Sequence, residues 1–192
     1  MHRILLAVVI AAVALSAVRP HSWFTWLLEV APILVGVPLL VLTHRRFRLS
    51  TLVYLLLTFH ALVLALGAHY TYAQVPIGFW GDLDRNWYDR FAHFVQGFVP
   101  AVLAREILLR RTPLRPGGWT FTLVTAVCLA FSAVYELIEW LGAVLAGEAA
   151  TDFLGTQGDV WDTQWDMFLA LCGALAAQLI LSRRHDRELS VL

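Results

Sequence analysis

The sequence contains no lysine and only two cysteines in 192 residues. Cys128 and Cys172 lie far apart inside apolar runs, which excludes a disulfide framework and any zinc-type cysteine spacing and leaves packing as their role. Net formal charge is zero, and no basic stripe is present, so nucleic acid is excluded as a partner. No H-E-x-x-H or similar stereotyped metal motif occurs, and no internal repeat is visible. Charged residues make up only 15% of the chain, against 59% hydrophobic residues. With a mean hydropathy of +0.69, the chain is too apolar for an ordinary soluble domain.

Six apolar runs, 4–18, 23–43, 51–70, 88–109, 119–146 and 165–182, approach the roughly 20 residues that a helix needs to cross a bilayer core. The expected fold is all-α: a polytopic transmembrane bundle of about six helices, forming a single integral membrane domain over 1–192. The first run is short, and Ala12-Val13-Ala14 has the small-residue look of a signal-peptidase site. An uncleaved helix is expected, because a second apolar run follows almost at once. Pro113, Pro116, Gly117 and Gly118 signal a turn between the fourth and fifth runs. The charged tail, 183–192, reads as short and mobile.

Arginines set the orientation. Arg45, Arg46 and Arg48, then Arg105, Arg110, Arg111 and Arg115, then Arg183, Arg184 and Arg187 all fall on one side of a six-span topology. The positive-inside rule makes that side cytoplasmic, with both termini there. Only Arg19, Arg85 and Arg90 fall opposite.

Most acids are biased the other way. Asp82, Asp84, Asp89, Glu148, Asp152, Asp159, Asp162 and Asp166 lie in outer loops or at outer helix ends. The stretch 158–167 is the densest, with three carboxylates and two tryptophans; spacings of three and four put Asp159, Asp162 and Asp166 on one face if the stretch is helical. Asp89 and His93 share a face of the fourth helix, and Glu136 and Glu139 sit near the outer end of the fifth. Charged groups inside a span cost a few kcal/mol on insertion scales, so such residues usually face the bundle interior and serve a function. Taken singly, each has a structural explanation: Asp89 against the helix macrodipole, Asp162 and Asp166 as caps, the tryptophans as an interfacial belt. Their convergence at one depth is harder to explain that way. Deeper in, Glu29 and His60 are placed for a contact, structural in preference to proton-conducting, and His69 is an outside candidate for the cluster.

Three chemistries fit. Carboxylates with one imidazole suit a divalent cation such as Mg²⁺, Mn²⁺ or Zn²⁺, with Glu139, Asp159, Asp162 and Asp166 as candidate ligands. His93 with Asp89 or Glu136 suits a general acid/base pair. Arg90 suits recognition of an anionic head group.

Three segments, Tyr88-Asp89-Arg90-Phe91-Ala92-His93-Phe94, Tyr135-Glu136-Leu137-Ile138-Glu139-Trp140 and 158–167, together resemble the YjdF-like family of bacterial inner-membrane proteins over nearly the whole chain. That resemblance implies a topology and carries no activity. The order of motifs is also distantly similar to VanZ-like membrane proteins, through Asp89, Arg90, His93 and Phe94, then Glu136 or Glu139, then Asp162, Asp166 and Gly173. This second likeness implies a link to the cell envelope, and its usual Gln or Arg near the later acids is matched loosely by Gln164, which the resemblance adds to Arg90 as a substrate-binding candidate.

The sequence thus points to a membrane protein with an acidic, histidine-containing site at its extracytoplasmic face. The first functional expectation is a metal-assisted enzyme acting on a lipid-linked or amphiphilic envelope substrate. A small-solute or ion transporter and a non-catalytic scaffold or sensor are the alternatives. Transport fits less well, because little below the outer third is polar apart from His60, Gln178 and a few hydroxyls.

Overall fold

A computed structural model describes residues 2–79, 85–146 and 156–192. Its helices are α1 (His2–Ser16), α2 (Trp23–Thr43), α3 (Thr51–Tyr70), α4 (Tyr88–Arg111), α5 (Gly118–Ala146) and α6 (Asp162–Leu189), with two 3₁₀ turns, Tyr72–Gln74 and Pro76–Gly78. There is no strand among the described residues. Ser22 and Ser50 start α2 and α3 as N-caps, each accepting the backbone N–H three residues on at 3.3 Å. Five helices, α2 to α6, are long and apolar enough to cross a membrane. The molecule is an all-α, multi-pass helical bundle.

α1 is the short one. Fifteen residues rise about 22 Å, less than the roughly 30 Å of a hydrocarbon core. It nevertheless runs the length of the bundle beside α3. At one end the His2 ring lies 4.4 Å from that of Tyr54, and at the other His69 Nδ1 lies 3.1 Å from the Ser16 carbonyl oxygen. The two segments therefore climb in parallel at the same rate. The end of α6 is at the level where α3 begins, because Glu188 accepts the Leu52 N–H at 2.8 Å. Both ends of the described chain thus sit at the arginine-rich end of the bundle.

α4 packs more extensively on α6 than on any other helix, and small residues make this possible. A Cβ on Gly97 would collide with the Ala170 carbonyl, and one on Gly173 with the Phe94 carbonyl. Ala101, Ala170, Ala174 and Ala177 continue the seam and are fully buried. Close backbone approach through small residues is how membrane helices gain dispersion energy without a hydrophobic driving force. The two helices run parallel, with α5 packed against both. Their middle is apolar: Val53, Ala101, Val124, Cys128, Ala174 and Ala177 form a continuous cluster.

Below that cluster lies a polar knot that the sequence did not announce. Glu106, fully buried, accepts the Ser50 N–H at 2.9 Å, Arg110 Nη1 at 2.6 Å and His185 Nε2 at 3.0 Å. Arg105 donates to His185 Nδ1 at 3.1 Å and to Asp186 at 2.7 Å. An arginine can only donate, so Nδ1 accepts and Nε2 carries the proton toward Glu106. The expectation of a mobile tail is corrected here: α6 continues to Leu189, and His185 is fully buried because this knot holds it.

Candidate functional site: a buried histidine ringed by carboxylates

The other end of the α4–α6 seam is positioned by backbone hydrogen bonds. Asn86, fully buried, donates its side-chain amide to the Val75 carbonyl at 2.8 Å and accepts the Tyr88 N–H at 2.9 Å, which starts α4. The Tyr88 hydroxyl donates to the Val63 carbonyl at 2.8 Å, fixing the first turn of α4 against α3. Across from it, the Gln157 side chain pairs with both backbone groups of Asn86, at 2.8 and 2.9 Å. Gln157 and Gly158 take positive φ, 50° and 82°, to turn the chain toward α6. The segment entering α4 and the segment entering α6 are thereby clasped together.

Two arginines tighten the clasp. Arg90 pairs with Asp159 at 2.5 Å and lies between the Trp87 and Trp165 rings, 5.0 and 5.1 Å from their centroids. Arg85 pairs with Asp162 and reaches Asp159 at 3.6 Å. Both cations are therefore already engaged by protein carboxylates.

Beneath this layer sits His93. Its Nε2 is 3.5 Å from Asp89 Oδ1 and its Nδ1 is 3.7 Å from Glu136 Oε1. Two overlapping groups result: Asp89, His93 and Asp166, all buried, and His93, Glu136 and Glu139, each offering ligand atoms within 4.8 Å of one another. A cavity of about 40 Å³ adjoins the histidine, lined among others by Glu29, His60, Tyr72, Asp89, His93 and Glu139, with no arginine in its wall. Such a space holds a few water molecules, or a hydrated ion once side chains adjust. Burial pushes the Tyr72 phenol well above its ordinary range, and Glu29 adds to the effect, so this wall group remains a hydrogen-bond donor.

The polar atoms facing this region are short of partners. Both Glu29 oxygens, Glu136 Oε1, Asp166 Oδ1, His93 Nδ1 and His60 Nε2 are buried with no hydrogen bond to the protein. Glu29 is only 1% exposed and Asp166 2%. An unsatisfied buried donor or acceptor costs about 1–3 kcal/mol, and more when charged. Several at one place therefore point to something that binds there.

The structure sorts the sequence candidates into three groups. Asp89, His93, Glu136, Glu139 and Asp166 come together. Asp162 is buried nearby but paired with Arg85, while Asp159 and Arg90 pair with each other above. Gln164 lies on the exposed face of α6, in an open groove with Trp161, Trp165 and Phe168. The three aspartates do not share one helical face, because α6 begins at Asp162 and Asp159 sits in the preceding turn, accepting the Trp161 N–H at 2.9 Å. The expected Glu29–His60 hydrogen bond is not made; both residues line the histidine cavity instead. His69 is taken up by the Ser16 carbonyl, away from the cluster. Asp82, Asp84, Glu148 and Asp152 lie outside the described residues. Sequence reasoning assigned no role to Arg85 or Tyr72. For Arg85 the available signal was its status as one of three arginines on the acidic side.

Comparison with known proteins gives the chain its relatives. The family described as Predicted membrane protein (DUF2238) matches residues 1–187. The chain is 51% identical over 178 residues to the inner membrane protein YjdF of Escherichia coli (strain K12), covering 91% of this chain and 85% of that protein. No solved structure matches.

Proposed function

Since the chain belongs to the DUF2238 family of predicted membrane proteins, with a YjdF-like relative at half identity, we propose that this multi-pass membrane protein binds a divalent cation at His93. On this reading it is a metal-assisted hydrolase or transferase acting on the head group of an amphiphilic envelope substrate. The observation that carries it is the set of buried, unpartnered carboxylate oxygens around one imidazole, with no arginine in the cavity wall. A cation offsets the mutual repulsion of Glu29, Asp89, Glu136, Glu139 and Asp166 in a way that water alone does not.

Asp89, His93 and Asp166 are the ligand set of choice, being the three-residue group that is buried throughout. Ligands around an ion at about 2.1 Å stand about 3–3.5 Å apart. The 4.8 Å limit on the present group therefore closes by small carboxylate rotations. Glu136, free at Oε1 on the other side of the ring, is the general base for an attacking water or hydroxyl. Hard oxygen ligands with a single imidazole suit Mg²⁺ or Mn²⁺, and Zn²⁺ next. Trp161, Trp165 and Phe168 give the substrate's apolar part an exposed aromatic groove beside the clasp. The arginine bias supports an extracytoplasmic site, with both chain ends in the cytoplasm. The likeness to VanZ-like proteins accords with an envelope substrate.

Transport is the weaker reading. Between the histidine cavity and the Glu106 knot lies the apolar cluster around Val53, Val124 and Cys128, and Gln178 and Thr125 beside it hydrogen-bond to each other at 2.9 Å. The test is turnover of a panel of lipid-linked and single-chain phosphate esters by purified protein with and without Mg²⁺ or Mn²⁺. Cation-dependent release lost in Glu136→Gln, with the metal still bound, supports the enzyme. Metal binding without turnover of any member leaves a cation site and removes the enzyme.

A further inference from the structure

A second space, near the arginine-rich end, is separate from the histidine site. α1 and α2 each pack on α3 but scarcely touch each other, leaving a cleft between them of about 340 Å³. Its walls are Leu5, Leu6, Val9, Val37, Leu40, Val41, Leu57 and Ala61, and its floor joins the core cluster of Val9, Ile33, Ala61 and Ala65. For scale, an apolar cavity of about 150 Å³ accepts benzene. At the far end the cleft is shut, where Trp26 Nε1 donates to Ser16 Oγ at 3.0 Å and the His21 N–H to the His69 carbonyl at 3.0 Å.

The mouth is basic. His2, Arg3 and His44 line it together with Tyr54 and Thr58, and among the described residues no carboxylate lines the cleft. His44 Nδ1 is 2.7 Å from the Tyr54 hydroxyl, and the His2 ring stands 5.4 Å from that of His44. His2 Nε2 is buried without a hydrogen-bond partner in the protein. Arg45, Arg46 and Arg48 extend the positive field outward and are exposed. An apolar slot with a polar, cationic rim is complementary to one kind of molecule in a bilayer.

We propose that this cleft is a binding site for one anionic phospholipid of the adjoining leaflet. One acyl chain lies between α1 and α2, and the phosphate is held by His2, Arg3 and His44. The lipid completes the packing that the short α1 and the proline-containing α2 leave open, as Pro38 falls in sequence between the lining residues Val37 and Leu40. Arginines near a membrane surface contribute about 1 kcal/mol each toward anionic lipid, so Arg3 with the exposed arginines beyond it gives an expected preference of about tenfold or more over a zwitterionic lipid of the same chains.

The test is native mass spectrometry of the full-length protein titrated with phosphatidylglycerol and with phosphatidylcholine of identical chains. The expected result is one tightly held phosphatidylglycerol. Its preference falls toward unity in the double variant Arg3→Gln/His44→Gln, and its binding weakens in Ala61→Phe, which fills the slot. Val41→Trp, at the exposed rim, gives the same weakening without touching the core, should Ala61→Phe fail to fold. Equal affinity for the two lipids, or unchanged affinity in both slot-filling variants of normal helix content, overturns the proposal. Full displacement of the lipid by inorganic phosphate also overturns it, because the chain would then contribute nothing.

Discussion

Replacing Gly97 by alanine adds one methyl group where α4 touches α6, and its consequences reach the candidate site. The new Cβ would meet the Ala170 carbonyl far inside contact distance, while the matching glycine, Gly173, already abuts the Phe94 carbonyl on the same seam. Neither neighbour is a flexible side chain, so the helices must part by about 1–1.5 Å to restore ordinary contact. Overpacking of this kind costs about 1–3 kcal/mol. Removing a glycine from a helix interior returns about 0.5–1 kcal/mol. The net expectation is a loss of about 1–2 kcal/mol, read as a lower midpoint in thermal unfolding of the detergent-solubilised protein. His93 lies one turn from Gly97 on the same face of α4, so Asp89 and His93 also move away from Asp166. Cation affinity should then fall by about tenfold or more, since that spacing sets the ligand cage. Gly36→Ala supplies the control: nothing lies within 4 Å of its Cβ, and it should be neutral or stabilising. If Gly97→Ala is as stable as Gly36→Ala and binds cation normally, the account of the α4–α6 seam is refuted.

Other expectations follow from the two polar ends. Arg85→Ala strands the buried Asp162 carboxylate and should cost about 2–3 kcal/mol, allowing for the partial exposure of Arg85; adding Asp162→Asn should restore more than half, measured as a double-mutant cycle in denaturant. His185→Leu breaks the Glu106 knot and should lower the thermal midpoint by a similar amount while leaving cation affinity unchanged, because the apolar layer separates the two ends. In a Cys128→Ala/Cys172→Ala background, a cysteine at Gln164 should react with membrane-impermeant maleimide from outside intact cells, and one at Arg115 only after permeabilisation. Reversal of that pattern would turn the proposed topology over.

The fold was legible because bilayer thickness and hydrocarbon transfer leave few options: apolar runs of the right length between polar turns can only be helices. Helix ends were less legible where side chains decide them. The arginine-rich end of α6 reads as a polar tail, yet His185 and Glu188 hold it helical through partners on α4 and α3, distant in sequence. Convergence of Asp89, His93, Glu136, Glu139 and Asp166 could be anticipated from their common depth. The division of labour among the acids could not. Whether an aspartate faces an arginine or an imidazole depends on the turn at Gln157 and Gly158, which draws Asp159 back over Arg90. Glu29 joins the site across the bundle from α2, a placement that depth permits but periodicity does not dictate.

The most direct test of the central claim is metal content by inductively coupled plasma mass spectrometry of protein purified after exposure to Mg²⁺, Mn²⁺ or Zn²⁺, comparing wild type with His93→Ala, Asp166→Asn and Arg90→Gln. The account predicts a stoichiometric divalent metal in wild type and in Arg90→Gln, lost from both His93→Ala and Asp166→Asn. No bound metal in wild type, or metal retained when His93 and Asp166 are changed, would contradict it.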